Sequence, residues 1–100
     1  MPAYCYILQS EKLSKFYVGS TTLSPELRLK NHLNGKYGNK AFSSSASDWQ
    51  LFYSIECKTI DQARLIESHI KRMKSKRYIL NLIKHSAITE KLKQQYSGSN

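Results

Sequence analysis

Glu67 is the residue whose position in the sequence most clearly suggests chemistry. It follows Ala63 by four residues and Ile66 by one, and it precedes Ile70 by three. This spacing places its carboxylate on or beside the apolar stripe of a predicted helix. A carboxylate in that position must pair with a basic side chain, reach solvent through a cleft, or bind a metal ion. Position alone leaves these alternatives open, and an ion pair with Lys or Arg is the more usual of them.

Arg28 and His32 form a second candidate pair. They stand four residues apart in a predicted helix, so their side chains share one face. An arginine can hold phosphate oxygens through two hydrogen bonds and stabilise charge in a transition state. A histidine can transfer protons near neutral pH. The alternative is an exposed, solvated helix face, which is the usual environment of such a pair.

Tyr6 and Tyr17 are the third candidate element. They lie on two predicted neighbouring strands, from which side chains can be presented to one common face. Packing in the core is the ordinary explanation for strand tyrosines. Gly19, two residues after Tyr17, is interpreted as a β-bulge or as a place where a ligand approaches the backbone.

The elements that position these residues can be predicted from local patterns. Three segments rich in aromatic and β-branched residues predict strands, at 4–10, 16–20 and 49–57. The short polar loop between the first two strands indicates an antiparallel hairpin. Ser24 and Pro25 predict the start of a helix, and Asn34-Gly35 predicts its end.

Further helices are predicted after the third strand. Thr59 and Gln62 have the spacing of a capping box. One apolar stripe follows at helical intervals, formed by Ala63, Ile66, Ile70 and Met73. Residues 78–84 predict a short apolar turn or helix, 86–96 a loosely held amphipathic helix, and 97–100 a frayed end.

The order of these elements predicts the fold class and the domain organisation. Strand, strand, helix, strand, helix, helix indicates a mixed α/β (α+β) sandwich, with a three-stranded, mostly antiparallel sheet flanked by helices. We expect one domain over residues 1–84, followed by a C-terminal helical extension and frayed tail over 85–100.

The charge balance suggests a polyanionic partner. Sixteen Lys and Arg against seven Asp and Glu give a net charge of +9 and a pI near 9.7. Such a charge attracts nucleic acid, although a basic protein that binds nothing has the same composition. The residues predicted to form one basic, nucleic-acid-binding surface are Lys30, Lys36, Lys40, Lys71, Arg72, Lys74, Lys76 and Arg77. Tyr37 and Phe42, in the long loop over 35–48, can stack on unpaired bases or pack on the core.

The cysteines and the apolar segments indicate the cellular environment. Cys5 and Cys57 stand in apolar stretches and predict free, buried thiols, with a disulfide as the alternative. No segment has the pattern of a signal peptide, and no apolar run has membrane-spanning length. We therefore expect a cytoplasmic protein that has no membrane partner.

Taken together, the candidate residues resemble the GIY-YIG nuclease superfamily. The resemblance covers residues 4–83 and is carried, in chain order, by Tyr4-Cys5-Tyr6, Tyr17-Val18-Gly19, Arg28, His32 and Glu67. It is closest to the small single-domain bacterial members, which are similar to the nuclease module of the excision-repair protein UvrC. This chain departs from the namesake pattern, since Tyr4-Cys5 stands where Gly-Ile is typical and Val18 replaces Ile.

The resemblance implies a role for each matching residue. Glu67 is expected to bind a single divalent cation, Mg²⁺ or Mn²⁺, because Mg²⁺ suits one carboxylate with waters and phosphate oxygens. Arg28 is expected to hold and neutralise the scissile phosphate. Tyr17 is expected to orient or deprotonate the attacking water, supported by a hydrogen bond from Tyr6.

Two further roles follow from the same resemblance. His32 is expected to transfer a proton or contact a phosphate. Asn81 lies near the place where some members have a supporting Asn. A phenol of ordinary pKa, about 10, is a poor base at neutral pH, so the proton path needs a nearby cation or a histidine relay.

The implied function is that of a metal-dependent endonuclease. It would hydrolyse phosphodiester bonds in DNA, with single-stranded or structured DNA among the candidate substrates, and with low sequence specificity, since the chain has no sequence-reading module. DNA repair is the expectation from the family, and RNA is an open alternative substrate. The alternative function is a non-catalytic nucleic-acid-binding module of the same fold. A third is a subunit recruited by a partner protein, and a homodimer is also compatible with the sequence.

Overall fold

The protein folds into three strands and four helices. The structure is a computed structural model that describes residues 2–33 and 48–96. In chain order the elements are β1 (Ala3–Ser10), β2 (Lys15–Thr21), α1 (Pro25–Leu33), β3 (Gln50–Cys57), α2 (Ile60–Met73), α3 (Lys76–Lys84) and α4 (Ser86–Gln95). The strands form one antiparallel sheet in the order β2-β1-β3. The predicted mixed α/β fold and its element order are confirmed, with Ser86–Gln95 forming a fourth helix.

β1 occupies the centre of the sheet because both of its faces are apolar. Cys5 and Ile7 point to one face, whereas Tyr6 and Leu8 point to the other, and all four are completely buried. The first face packs against α2, α3 and α4 and forms the first core with them, and the second face packs against Trp49 and Leu29 of α1 and forms the second core. Both Cys5 and Cys57 are buried without forming a disulfide, as predicted, and burial raises the pKa of each thiol.

An irregularity in β3 adds an apolar residue to the second core. Ile7 pairs with Tyr53 and Leu8 pairs with Leu51, so Phe52 is the extra residue of a β-bulge. Because side chains alternate along a strand, this insertion turns Leu51 to the face of Trp49, while Phe52 and Tyr53 pack against the first core. The bulge thus adds Leu51 to the apolar layer on which Leu29 of α1 packs.

Side-chain caps begin the two helices that carry the candidate site residues. The backbone N–H of Leu27 donates to Ser24 Oγ in α1, and the N–H of Gln62 donates to Thr59 Oγ1 in α2. Of the two hydrogen bonds of the predicted capping box, only this one from the Gln62 N–H to Thr59 forms. The Gln62 side chain accepts from the N–H of Lys58, 2.8 Å away, rather than from that of Thr59.

α4 packs firmly on the rest of the chain, so the prediction of a loosely held helix is wrong. Leu92 is buried in the first core, Thr89 hydrogen-bonds the hydroxyl of Tyr53, and the Gln62 amide donates to the carbonyl of Lys93. Met73, in contrast, is less buried than predicted. Predicted in the apolar stripe, it is 45 % exposed at the last residue of α2.

Asp48 ties the β1–β2 turn to the start of β3. Its carboxylate accepts from Ser10 Oγ at 2.6 Å and from the backbone N–H of Lys12 at 2.9 Å. The hydrogen bond from Ser10 has the largest effect on the pKa of Asp48 and lowers it, and the one from Lys12 lowers it further. A carboxyl group whose pKa is lower in the folded state stabilises the fold above its unfolded pKa, and that contribution disappears as the pH falls through the folded value.

Asp48→Asn is therefore expected to lower the urea midpoint of unfolding at pH 7. The difference between the variant and the wild type should shrink as the pH falls below about 4, the usual pKa of an Asp. Urea titrations between pH 2.5 and 7 measure this, with Glu56→Gln, an exposed carboxylate of β3, as the control. A difference that stays constant with pH would contradict the role assigned to Asp48.

Candidate active site

Arg28 and Tyr6 form the centre of the candidate site. Tyr6 lies in the central strand and is completely buried, whereas Arg28 is half-buried on α1. The guanidinium donates to the phenol oxygen from Nε at 3.4 Å and from Nη2 at 3.2 Å. Its Cζ also lies 5.8 Å from the centroid of the Tyr6 ring, within the range of a cation–π contact. The buried phenol therefore holds the orientation of a partly exposed cation.

Gly19 makes room for the Tyr6 ring. The two residues face each other across the β1–β2 pair. A Cβ at Gly19 would lie 2.5 Å from the Tyr6 phenol oxygen and 2.6 Å from Cζ. The β1–β2 register runs without a shift, so the predicted bulge at Gly19 is wrong. The group that approaches this backbone closely is the Tyr6 phenol, and Gly19 itself is buried.

Tyr17 lies on the same face of the sheet as Tyr6. Its ring centroid is 6.4 Å from that of Tyr6, and also 6.4 Å from that of Trp49, with an edge-on geometry towards the indole. Tyr17 is only half-buried. One ring therefore packs wholly inside the second core, and its neighbour packs at the border with solvent.

Glu67 reaches the edge of the sheet from the opposite layer. It lies on α2, whose buried residues pack on the face of Cys5 and Val18. One carboxylate oxygen accepts from Ser20 Oγ at 2.6 Å, and the other accepts from Lys71 Nζ at 2.6 Å. The Glu67 side chain is 18 % exposed and that of Lys71 is 55 % exposed. The ion-pair alternative is thus realised, but with a partner on the surface.

The edge strand β2 joins the two halves of the site. Gly19 belongs to the Tyr6 face, and the next residue, Ser20, points to the other face and donates to Glu67. Tyr6 is in direct contact with both Tyr17 and Arg28. Glu67 is linked to this group by the hydrogen bond that it accepts from Ser20 of β2. Sequence reasoning missed Ser20, although strand alternation after Val18-Gly19 predicts that it faces α2.

Glu67 has the chemistry of a ligand for a hard cation. Mg²⁺ is commonly held by one or two carboxylates together with waters, and a hydroxyl that orients the carboxylate is a typical outer-shell partner. Within residues 2–33 and 48–96, no group of three or more His, Cys, Asp or Glu side chains could hold a metal. The donor set around Glu67 thus fits a cation that keeps most of its waters. It does not fit a closed structural metal site.

The remaining predicted residues are distributed over several surfaces. Three of the predicted lysines, Lys71, Lys74 and Lys76, line one groove together with Lys15. Arg72 points to the hydroxyl of Tyr96, and Arg77 and Asn81 lie beside Phe52. These two arginines are not part of the groove lining, because they lie on other faces of α2 and α3 than the neighbouring lysines, and the single basic surface stays a prediction.

Several of the predicted residues lie on α1 or in parts of the chain that the structure does not describe. Lys30 is exposed on α1, and His32 lies one turn after Arg28, with only its backbone described. Lys36, Lys40, Tyr37, Phe42 and the helix end at Asn34-Gly35 lie outside the described residues, as does the predicted frayed end over 97–100. Over the described ranges, none of the helices has the length and apolar character needed to cross a membrane.

Comparison with known proteins identifies the class to which this fold and site belong. The family model described as the GIY-YIG catalytic domain matches residues 2–79, which is most of the chain. The protein therefore belongs to the GIY-YIG family, a family of nuclease type, and the resemblance seen in the sequence is confirmed. Among solved structures, it is similar to a UPF0213 protein from Bacillus halodurans, determined by NMR in solution. The two share 25 % identity over 84 % of each chain, with a TM-score of 0.50. No curated protein matches the chain significantly.

Proposed function

We propose that this protein is a divalent-metal-dependent endonuclease that hydrolyses phosphodiester bonds in DNA with little sequence specificity. The observation that carries the proposal is the guanidinium of Arg28, which the buried Tyr6 phenol holds beside the half-exposed Tyr17 ring. A rigidly placed arginine at the border with solvent is suited to a phosphate. Membership of a nuclease-type family supports the same substrate class. We place the protein in the cytoplasm, where DNA processing or repair would use it.

Each side chain has a task in this mechanism. Arg28 holds the scissile phosphate and stabilises the charge that grows on its oxygens during attack. Tyr17 orients the attacking water, and Tyr6 acts through Arg28 by keeping its guanidinium in place. His32, one helical turn beyond Arg28, accepts or returns the proton. Asn81, on α3 beside Phe52, is assigned at most a supporting role.

Glu67 would hold Mg²⁺ or Mn²⁺, with Ser20 fixing the orientation of its carboxylate. When bound there, such a cation would supply positive charge to offset the negative charge that develops during hydrolysis. Opening the Glu67–Lys71 pair costs little, since an ion pair with such an exposed lysine contributes only about 0–1 kcal/mol. Lys71 is then available for the substrate.

One observation favours a second candidate function. Both oxygens of the Glu67 carboxylate already have partners, Ser20 and Lys71. A carboxylate satisfied in this way does not need a metal ion. The same fold would then act as a module that binds nucleic acid without cutting it.

A cleavage assay separates these functions. Labelled single-stranded and double-stranded DNA, and RNA of the same sequence, are incubated with Mg²⁺, Mn²⁺ or a chelator. We expect metal-dependent cutting of DNA, reduced about 100- to 1000-fold in Arg28→Ala. Glu26→Gln, an exposed residue of the same helix, is the control and should retain activity. Salt-sensitive binding without cutting in either metal would overturn the nuclease in favour of the binding module.

A further inference from the structure

A groove of about 330 Å³ runs along β2, the edge strand of the sheet. Four consecutive β2 residues, 15–18, form one wall, and the other wall comes from the end of α2 and the start of α3. The groove borders the part of the candidate active site that holds Glu67, because its lining includes Lys71, the partner of Glu67. Tyr17 belongs to the same stretch of β2, with its ring on the opposite face of the sheet beside Tyr6.

The lining of the groove combines two kinds of surface. Phe16, Val18 and Ile79 contribute apolar side chains to its walls, whereas the exposed side chains around it are lysines. These lysines are Lys15, Lys71, Lys74 and Lys76. Lys76 also donates to the carbonyl of Ser14, which keeps it close to the strand. No Asp or Glu is present among the described residues of the lining. Such a groove suits a ligand that is anionic on one side and apolar on the other.

An unpaired nucleotide has these properties. Its phosphates are anionic, and the face of its base or sugar can pack on apolar and aromatic side chains. A duplex does not suit the groove in the same way, because stacking hides the faces of its bases and leaves phosphates and groove edges for contact. The volume lies at the lower end of the range for small-molecule pockets, which suits one nucleotide better than a base pair.

We propose that this groove is a subsite for an unpaired nucleotide next to the scissile phosphate. Lys74 and Lys15 hold the flanking phosphates, and Lys71 joins them when Glu67 engages a cation. The proposal rests on the proposed function for the nucleic acid as ligand, and it adds single-stranded segments as the preferred substrate class. The nucleotide lies along the outer edge of β2, on the side of α2.

The test measures binding in the presence of a chelator, so that cutting plays no part. A fluorescent single-stranded oligonucleotide and a blunt duplex of the same sequence are titrated at several salt concentrations. The groove variant is Lys15→Gln with Lys74→Gln. The control is Lys84→Gln with Lys91→Gln, which removes the same charge from exposed positions outside the groove lining.

We expect the groove variant to lose several-fold more affinity for the single strand than for the duplex. Its salt dependence for the single strand should weaken by about 0.7 in log–log slope for each lost phosphate contact. Equal losses in the groove variant and the control, for both nucleic acids, would overturn the subsite. Selective loss without any cutting in metal would retain the subsite and reject the nuclease, so the two failures are distinguishable.

Discussion

Glu67→Gln is expected to abolish metal-dependent cleavage while leaving the fold intact. The amide keeps the size of the side chain, and its oxygen can still accept from Ser20 Oγ, but it loses the charge that a hard cation requires. We expect activity to fall by at least about 1000-fold, the upper end of the range for loss of one stabilising group. The free energy of unfolding should change by no more than about 1 kcal/mol, because the lysine of the lost ion pair lies on the surface.

The metal role of Glu67 has a readout that does not depend on activity. A ligand that binds only the folded state raises the unfolding temperature, by an amount that grows with the logarithm of its concentration relative to its Kd. Adding Mn²⁺ should therefore stabilise the wild type and the control Glu90→Gln, an exposed carboxylate of α4, but not Glu67→Gln. Ser20→Ala should be intermediate, with metal affinity lower by about 10- to 100-fold, as is typical when an outer-shell partner is removed. An unchanged Mn²⁺ effect in Glu67→Gln would place the cation elsewhere.

Gly19→Ala is expected to impair both stability and activity. The new Cβ would lie 2.5 Å from the phenol oxygen of Tyr6, whose ring is completely buried and cannot move into solvent. Overpacking of this kind typically costs about 1–3 kcal/mol. Because the Tyr6 phenol orients Arg28, its displacement should also lower the cleavage rate. Urea denaturation and the cleavage assay measure the two effects on the same sample.

A matched position on the other side of Tyr6 provides the control. Ser54 faces Tyr6 from β3 as Gly19 does from β2, but its side chain is exposed. Ser54→Ala should change the free energy of unfolding by no more than about 0.5 kcal/mol. Replacing Gly by Ala where space exists stabilises a protein by about 0.4–1 kcal/mol. A Gly19→Ala variant that is more stable than the wild type would therefore contradict the close packing described here.

Much of the fold could be predicted because its signals are local. The strand patterns, the Ser24 cap and the helical stripe around Ile66 each involve residues within a few positions of one another, and the structure confirms the elements that they predict. The failures were at points where a distant partner decides. The Gln62 amide donates to the carbonyl of Lys93, 31 residues away, and α4 packs tightly because Thr89 contacts Tyr53 and Leu92 enters the first core.

The sequence by itself determined the family, the candidate residues and their places on strands and helices, because periodicity, caps and motif spacing are properties of short segments. Only the tertiary structure decided which of these residues meet. The contact between Ser20 and Glu67 joins positions 47 residues apart, and the need for glycine at position 19 is set by a ring on the neighbouring strand. The lysine groove likewise requires β2 to lie beside the junction of α2 and α3. Such contacts depend on how layers pack in three dimensions, and no local pattern encodes them.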